Sequence, residues 1–275
     1  MNANHTPHQD SIFFARIRVE PAVLVHIDAT EGSVPREAGT WMAVFPEGLV
    51  GTIGGGQLEH QAIIRARLAL KAKFSDIGKA QMQRVALGPA LGQCCGGVVH
   101  LRFEKVTLMD LPNLLIRLRP HLLPVALFGG GHVGHALTRL LSSLPFAVTW
   151  VDSRDGVFPG NLPDNVVCEQ SEPVQAAVRD LTPDSRVLIM SFSHAEDFDV
   201  VTACLQRQRV QADLPYIGLI GSATKWASFR QRLEARGFTA AELAQVTSPI
   251  GVPGIQGKAP EVIAVAVAAQ LLQTL

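Results

Sequence analysis

Residues 125–134, which read VALFGGGHVG, decide the fold of the second half of this chain. The apolar run Val125–Phe128 predicts a buried strand, and Gly129, Gly131 and Gly134 fill the glycine positions of the pattern G-x-G-x-x-G. In such a turn the first glycine permits a tight bend, the second lets backbone N–H groups approach a phosphate, and the third allows close packing of helix on strand. The stretch therefore predicts a strand, a phosphate-binding turn and a helix in succession.

The sequence after the glycine turn continues to alternate between the two element types. We expect His132–Ser143 to be helical, and Ala147–Val151, Arg186–Met190 and Ile217–Ile220 to be strands. This alternation predicts a parallel sheet covered by helices on both faces. Asp152 follows the second strand, where an acid accepts a hydrogen bond from a ribose hydroxyl. Binding of NAD(P) is therefore one interpretation, although the glycines also suit the phosphate of a pterin or a pterin nucleotide.

His194 is a further candidate site residue in this half, because it follows a predicted strand at the edge where ligands bind in parallel sheets. Its neighbours Ser193 and Glu196 fit the capping pattern S-x-x-E, so the start of a helix is their first explanation. A later helix has Trp226, Phe229 and Leu233 on one face, which predicts a core stripe. Its charged residues are expected on the solvent side; they are Lys225, Arg230 and Arg232.

The first part of the chain has a different pattern, typical of a small α+β unit. The turn residues Pro46-Glu47-Gly48 separate two β-rich runs and predict a hairpin. The predicted strands are Ala22–Ile27, Thr40–Phe45, Leu49–Ile53 and Val98–Phe103, and the predicted helix is Gln57–Lys73. We therefore predict an N-terminal α+β domain over residues 1–108, a proline-containing linker over 109–123 and a parallel-sheet domain over 124–275.

A second glycine cluster precedes the predicted helix of the first domain. Gly54, Gly55 and Gly56 run from a strand into that helix, and their N–H groups form a second candidate anion site. Glu59 lies in the first helical turn, where a carboxylate interacts favourably with the helix dipole. The alternative is that Glu59 accepts hydrogen bonds from an amine-rich ring.

Adjacent cysteines form the most unusual feature of the first domain. Gln93, Cys94 and Cys95 lie between glycines on both sides. This spacing does not match a zinc site, whose cysteines are typically two to four residues apart. Backbone N–H groups in such a loop lower thiol pKa values, and a thiolate suits a soft metal or a sulfur-transfer step. The plainer alternative is a pair of small buried residues in a turn.

Composition excludes several classes of protein. The 275 residues include 24 Lys plus Arg and 24 Asp plus Glu, so the cationic excess that a nucleic-acid binder needs is missing. The apolar run Val262–Leu272 is shorter than the ~20 residues of a membrane span. We therefore expect a cytoplasmic protein that binds neither nucleic acid nor membrane, and whose Cys168 and Cys204 are buried thiols.

The chain resembles the xanthine dehydrogenase accessory proteins, also called the XdhC/CoxI family. The segments that carry the resemblance are Gly32–Arg36 with Gly39, Gly54–Glu59, Gly92–Gly97, Phe128–Gly134, Ile217–Ser222, and Ser248–Gly251 followed by Gly254, Gly257, Pro260 and Glu261. The resemblance implies an N-terminal α+β domain followed by a C-terminal Rossmann-like parallel-sheet domain. It also implies a carrier that binds and stabilises the molybdenum cofactor (molybdopterin), supports its sulfuration and inserts it into apo xanthine dehydrogenase.

The partners that the resemblance implies are the molybdenum subunit of xanthine dehydrogenase and a cysteine desulfurase, with a homodimer as an open possibility. The expected cofactor-binding residues are Gly54, Gly55, Gly56, Glu59, Gln93, Cys94, Cys95, Gly129, Gly131, Gly134, Asp152 and His194, with Cys94 and Cys95 as metal ligands. We expect a carrier without turnover of its own. The alternative is an NAD(P)-dependent oxidoreductase that uses the glycine turn and Asp152.

Overall fold

The computed structural model describes residues 7–71, 80–88, 96–118 and 121–275. The chain divides into two compact units, Met1–His121 and Leu122–Leu275. The first is an α+β unit and the second is an α/β unit with a parallel sheet, which confirms the predicted fold class. None of the helices in these described residues is long and apolar enough to cross a membrane.

The first unit is built on a five-stranded antiparallel sheet with strand order β3-β2-β1-β5-β4. Its strands are β1 (Ala22–Glu31), β2 (Trp41–Val44), β3 (Leu49–Gly51), β4 (Gln81–Ala86) and β5 (Val98–Val106). Its helices are α1 (Pro7–Arg16), α2 (Gly56–Lys71) and α3 (Leu111–Arg117). The predicted hairpin is confirmed, since Val44 pairs with Leu49 across the turn.

Side-chain alternation along β1 divides the core of the first unit into two layers. Val23 and Val25 pack on one face of the sheet with Leu58, Ala62 and Ala66, whose spacing of four residues forms the buried stripe of α2. The opposite face is covered by α1 and α3. Helix α3 lies within the stretch predicted as a linker, and it contributes buried leucines to this second layer.

The second unit contains a six-stranded parallel sheet with strand order β11-β10-β9-β6-β7-β8. Its strands are β6 (Leu123–Phe128), β7 (Phe146–Asp152), β8 (Val166–Gln170), β9 (Arg186–Ile189), β10 (Tyr216–Leu219) and β11 (Val246–Thr247). Its helices are α4 (His132–Leu141), α5 (His194–Gln211), α6 (Ala223–Ala235), α7 (Ala240–Leu243) and α8 (Pro260–Leu272).

Helices cover both faces of this parallel sheet, as the alternation of elements predicted. Helices α4 and α8 pack on one face, and α5 and α6 pack on the other. Strands β7 and β8, which follow β6 in the chain, lie on one side of β6, and the later strands β9, β10 and β11 lie on its other side. The direction in which strands are added to the sheet therefore reverses between β6 and β9. In doubly wound sheets, ligands bind outside the carboxyl ends of the strands at such a reversal. The glycine turn after β6 lies at this point.

Candidate functional site

Two glycines of the turn after β6 are required by close approach of the backbone. A Cβ atom at Gly129, whose φ is 129°, would lie 2.0 Å from the carbonyl oxygen of Met190. A Cβ atom at Gly134 would lie 2.1 Å from the carbonyl oxygen of Gly129, so any larger residue would push α4 away from β6. Gly131 differs, because a Cβ atom there would meet nothing within 4 Å. The space beside Gly131 is therefore open to a ligand.

The start of α4 suits a phosphate group. Gly131 is its N-cap residue and offers no side chain to accept the first N–H groups of the helix. These N–H groups and the positive end of the helix dipole together favour an anion. One amide of the turn is committed elsewhere, since Gly130 N donates to Asp152 Oδ2 at 2.5 Å. The predicted phosphate position is thus available at Gly131 and in the first turn of α4.

Asp152 holds its neighbours in place and has little capacity left for a ligand. Its side chain is 1% exposed. Oδ1 accepts from the backbone N and the Nε of Arg154 at 2.9 Å each, and Oδ2 accepts from Gly130 N and from Arg154 Nη2. Burial raises the pKa of this carboxyl, but the hydrogen bonds from Arg154 and Gly130 outweigh burial and bring the pKa below its ordinary value. The expected contact with a ribose hydroxyl would require one of these bonds to break.

Arg154 and Phe192 form a stacked pair beside the glycine turn. The guanidinium carbon lies 4.5 Å from the centroid of the Phe192 ring, and 66% of Phe192 is exposed. Glu196 reinforces the pair, because it accepts from Ser153 Oγ at 2.7 Å and from Phe192 N at 3.1 Å. Arg154 follows β7 and Phe192 follows β9, so their contact spans the end of β6, which lies between those strands. The sequence pattern had not indicated either residue.

His194 begins α5 and lines a cavity of about 410 Å³ at the carboxyl ends of β9 and β10. The side chain is exposed, as a ligand-binding role requires. Ser193 caps the helix by accepting from Glu196 N at 3.2 Å, so half of the predicted capping box is confirmed. The other half is wrong: the carboxylate of Glu196 accepts from Phe192 N, in the turn before the helix, and from Ser153 Oγ, which follows β7.

Lys225 and Asp197 form a buried ion pair in the wall of the same cavity. Lys225 Nζ donates to Asp197 Oδ2 at 2.5 Å and to the carbonyl oxygen of Ile220 at 2.9 Å. The side chains are 9% and 3% exposed, so the expectation that Lys225 faces solvent is wrong. Burial raises the pKa of Asp197, although Lys225 and the Ser191 amide oppose the increase. A Cβ atom at residue 221 would lie 2.6 Å from Lys225 Cδ, which explains the glycine there.

The glycine cluster of the first unit surrounds a carboxylate of the chain itself. Glu59 Oε2 accepts from Ile53 N at 3.0 Å, from Gly55 N at 3.2 Å and from the hydroxyl of Thr52. The Gly54 amide is also used, since it donates to Thr52 Oγ1 at 3.2 Å. The anion site predicted for Gly54 and Gly55 is therefore filled by Glu59, whose main role is to fix the loop. Gly56 begins α2.

Three of the segments singled out in the sequence meet at one corner of the first unit. Gly97 N donates to the carbonyl oxygen of Ser33 at 3.1 Å, and a Cβ atom at Gly97 would lie 2.4 Å from that same oxygen. A Cβ atom at Gly54 would lie 2.9 Å from Pro35 Cγ. Arg36 is exposed at this corner. The chain thus brings together the segment Gly32–Arg36, the glycine cluster and the glycine pair that follows the cysteines.

Gln93, Cys94 and Cys95 lie outside the described residues. The glycines at the two flanks are described, and a Cβ atom at Gly88 or Gly96 would meet nothing within 4 Å. Within residues 7–71, 80–88, 96–118 and 121–275, no group of three or more His, Cys, Asp or Glu is placed to hold a metal ion.

Of the two described cysteines, Cys204 is buried as the sequence predicted, whereas Cys168 is only partly buried. Cys204 lies fully in the core, where burial raises the pKa of its thiol to about 12. Cys168 is partly buried, and burial raises the pKa of this thiol as well. Because the thiolate is the reactive form, both side chains are poor candidates for metal or sulfur chemistry.

Comparison with known proteins matches both parts of the chain to one family. The family described as "XdhC Rossmann domain" matches residues 125–271, and "XdhC and CoxI family" matches residues 16–77. The uncharacterized protein YqeB of Escherichia coli strain K12 is 28% identical over 256 residues, which cover 92% of this chain and 43% of YqeB. This chain therefore spans less than half the length of that relative.

A solved structure also resembles this chain over nearly its whole length. The crystal structure of a protein described as a xanthine dehydrogenase from Bacillus halodurans superposes with a TM-score of 0.75 at 20% identity. The match covers 96% of this chain and 95% of that one. At this identity the likeness supports the fold alone.

Proposed function

Because this chain belongs to the XdhC family, we propose that it acts as a carrier that binds the molybdenum cofactor, supports its sulfuration and inserts it into apo xanthine dehydrogenase. Family membership supports the broader role in xanthine dehydrogenase maturation. Handling of the cofactor is the finer part of the proposal. The chain would hold and transfer the cofactor without turning over a substrate of its own.

The observation that carries this proposal is the corner of the first unit where Gly97 meets Ser33 and Gly54 meets Pro35. These contacts require glycine at both positions, so the sequence maintains a close backbone arrangement immediately after Cys94 and Cys95. Close packing fixes Gly97, whereas a Cβ atom at the adjacent Gly96 would meet open space. Such an arrangement suits a loop that presents thiols to a ligand.

Each unit, taken by itself, has residues that suit the chemistry of such a cofactor. In the first unit, Cys94 and Cys95 offer the soft thiolates that a molybdenum centre favours, while Cys168 and Cys204 are held as thiols by their raised pKa values. In the second unit, the open space at Gly131 and the uncapped start of α4 suit a phosphate group. When bound, the cofactor supplies the molybdenum centre to which sulfur is added.

The partners of the proposed carrier follow from this role. A cysteine desulfurase would supply the sulfur, and the molybdenum subunit of xanthine dehydrogenase would receive the cofactor. The proposal includes both of these interactions. It also includes a cytoplasmic location and a homodimeric assembly. The alternative of an NAD(P)-dependent oxidoreductase has less support, because the carboxylate of Asp152 is already engaged by Arg154 and Gly130.

The proposal is tested by producing the chain in cells that make the molybdenum cofactor and analysing what co-purifies. We expect molybdenum by elemental analysis and, after oxidation, a fluorescent pterin in equal amount. The variant Cys94→Ala with Cys95→Ala is expected to lose most of both while remaining folded. Cys168→Ala is the matched control and should retain the parent content, since Cys168 belongs to the other unit. A parent protein without molybdenum or pterin, or a double variant with undiminished content, would contradict the proposal.

A further inference from the structure

The inference starts from the charge that the second unit exposes beside its glycine turn. The residue expected to contact a ligand there is Asp152, but this side chain is 1% exposed and accepts hydrogen bonds on both oxygens. The group that reaches solvent at this position is the guanidinium of Arg154, whose side chain is 35% exposed. A ligand approaching the turn therefore meets a cation in place of a carboxylate.

Arg154 is held in a fixed orientation and has N–H groups that are not used by its contacts with Asp152. Nε and Nη2 form a two-pronged contact with Asp152, and the guanidinium carbon lies over the Phe192 ring. A guanidinium has more N–H groups than these bonds use, and Nη1 donates to no acceptor among the described residues. Arginine in such an orientation recognises phosphate, because its planar group matches two phosphate oxygens at once.

The guanidinium lies next to the place where a phosphate fits. Arg154 Nη2 and Gly130 N donate to the same oxygen of Asp152, at 2.9 Å and 2.5 Å. The open space at Gly131 is one residue further along the turn. In other nucleotide-binding sheets of this type, an arginine near the end of the second strand accommodates a phosphate on the ribose, whereas a free acid there binds the unmodified ribose.

Phe192 adds an aromatic surface to this charged position. Its ring is 66% exposed although it belongs to the segment that leads from β9 into α5. Glu196 fixes this segment by accepting from Phe192 N, and the same carboxylate accepts from Ser153, the residue before Arg154. Exposed aromatic rings with a fixed backbone are surfaces on which planar heterocycles stack.

We propose that Arg154 and Phe192 bind a phosphate ester that carries a planar heterocycle, with Arg154 contacting the phosphate and Phe192 the ring. Asp152 is a positioning residue, which acts by orienting Arg154. This chemistry is shared by a phosphorylated pterin and by a nucleotide of the NADP(H) type, whose additional ribose phosphate NAD(H) lacks. With a phosphorylated pterin as the ligand, the inference deepens the proposed function and rests on it, and with a nucleotide it goes beyond that function; in both cases it requires no molybdenum.

The test is titration calorimetry of the purified full chain with matched pairs of probes. One pair is NADP⁺ and NAD⁺, and the other is a pterin phosphate and the same pterin without phosphate. For at least one pair we expect the phosphorylated probe to bind roughly tenfold or more tightly, as for a charge-assisted hydrogen bond. The pair that shows the preference identifies the source of the ligand.

Variants then assign the preference to the two residues. Arg154→Gln retains a donor for Asp152 and is expected to abolish the preference, while Arg154→Lys retains part of it. Phe192→Ala should weaken both members of the preferred pair, because they share the heterocycle, and should reduce the preference less than Arg154→Gln does, because Asp152 still holds Arg154. Arg230→Gln is the matched control, because this arginine is exposed on α6 of the same unit.

Two results would overturn the assignment. One is equal affinity of the parent for phosphorylated and unphosphorylated probes in both pairs, or binding of neither. The other is a preference that persists unchanged in Arg154→Gln, provided that circular dichroism shows this variant to be folded. Both results are independent of molybdenum content, so the carrier proposal and the present one can fail separately.

Discussion

Replacement of Lys225 by methionine tests the ion pair that joins α5 to α6. Methionine preserves most of the length and apolar volume of the side chain but removes the ammonium group. Asp197 then loses the cation that donates to it at 2.5 Å and keeps only the donor Ser191 N, at 2.7 Å. Because the side chain of Asp197 is 3% exposed, water has little access to the oxygen that Lys225 leaves.

The expected loss follows from the burial of both partners. Removing one member of a buried ion pair costs about 3–5 kcal/mol, mainly because the remaining charge is left without compensation. Loss of the hydrogen bond from Lys225 to the Ile220 carbonyl oxygen contributes about 1 kcal/mol within that range. A domain of this kind has a total free energy of unfolding of roughly 5–15 kcal/mol, so the effect is readily measured.

The loss should depend on pH in a defined direction. Folding already raises the pKa of Asp197, and a carboxyl of this kind stabilises the folded state at low pH and loses that contribution as the pH rises through its folded-state pKa. Without Lys225 the pKa of Asp197 rises further, since the charge that opposed the increase is gone. Urea unfolding should therefore show a larger difference between parent and Lys225→Met at about pH 7.5 than at about pH 5.

Two further variants make this reasoning refutable. Adding Asp197→Asn to Lys225→Met removes the buried charge and should restore part of the stability and flatten the pH dependence. Arg179→Met disrupts an ion pair with Asp180 on the surface and should leave stability unchanged, because its side chain is 85% exposed. A Lys225→Met protein as stable as the parent at both pH values would show that the pair contributes little. A loss independent of pH would show that Asp197 does not carry the effect.

Substitutions at Gly131, Gly134 and Glu59 test the assignments at the two glycine loops. Gly134→Ala places a methyl group 2.1 Å from the carbonyl oxygen of Gly129 and should destabilise the second unit by about 1–3 kcal/mol in urea unfolding, whereas Gly131→Ala meets no atom and should leave stability nearly unchanged. Equal losses at the two positions would contradict the distinction. Glu59→Ala leaves the backbone N–H groups of Ile53 and Gly55 without an acceptor and should destabilise the first unit by about 1–3 kcal/mol. Glu59→Gln should cause a smaller loss. A Glu59→Ala protein as stable as the parent would show that the carboxylate does not fix the loop.

Local sequence patterns were sufficient for the elements whose residues are mostly buried. The turn after β6 was predicted because its glycines and the apolar residues beside them are contiguous in the chain. Strand β4 (Gln81–Ala86) was not predicted, because it lies at the edge of its sheet and has only Val85 buried. An edge strand of this kind lacks the apolar alternation that identifies strands in a sequence.

Site residues were harder to predict when their partners are distant in sequence. Lys225 is a charged residue on α6, and its burial depends on Asp197, which is 28 positions away on another helix. Arg154 differs, because it is only two residues after Asp152. An arginine two positions after an acid at the end of a strand indicates, from the sequence alone, that the acid can pair with that arginine.

The carboxyl edge of the parallel sheet repeats one construction on both sides of β6. Asp152 accepts from a backbone amide of the glycine turn and from Arg154, while Asp197 accepts from the Ser191 amide and from Lys225. Each acid is buried and each is compensated by a cation, which is Arg154 in the loop after β7 for Asp152 and Lys225 on α6 for Asp197. Since neither acid presents a free carboxylate, an anionic ligand at this edge meets the donors of Arg154 and the start of α4. On the proposal that Arg154 binds a phosphate, Asp152 acts by orienting that cation, which gives a reason for an acid beside an arginine at a position where an acid usually binds an unmodified ribose.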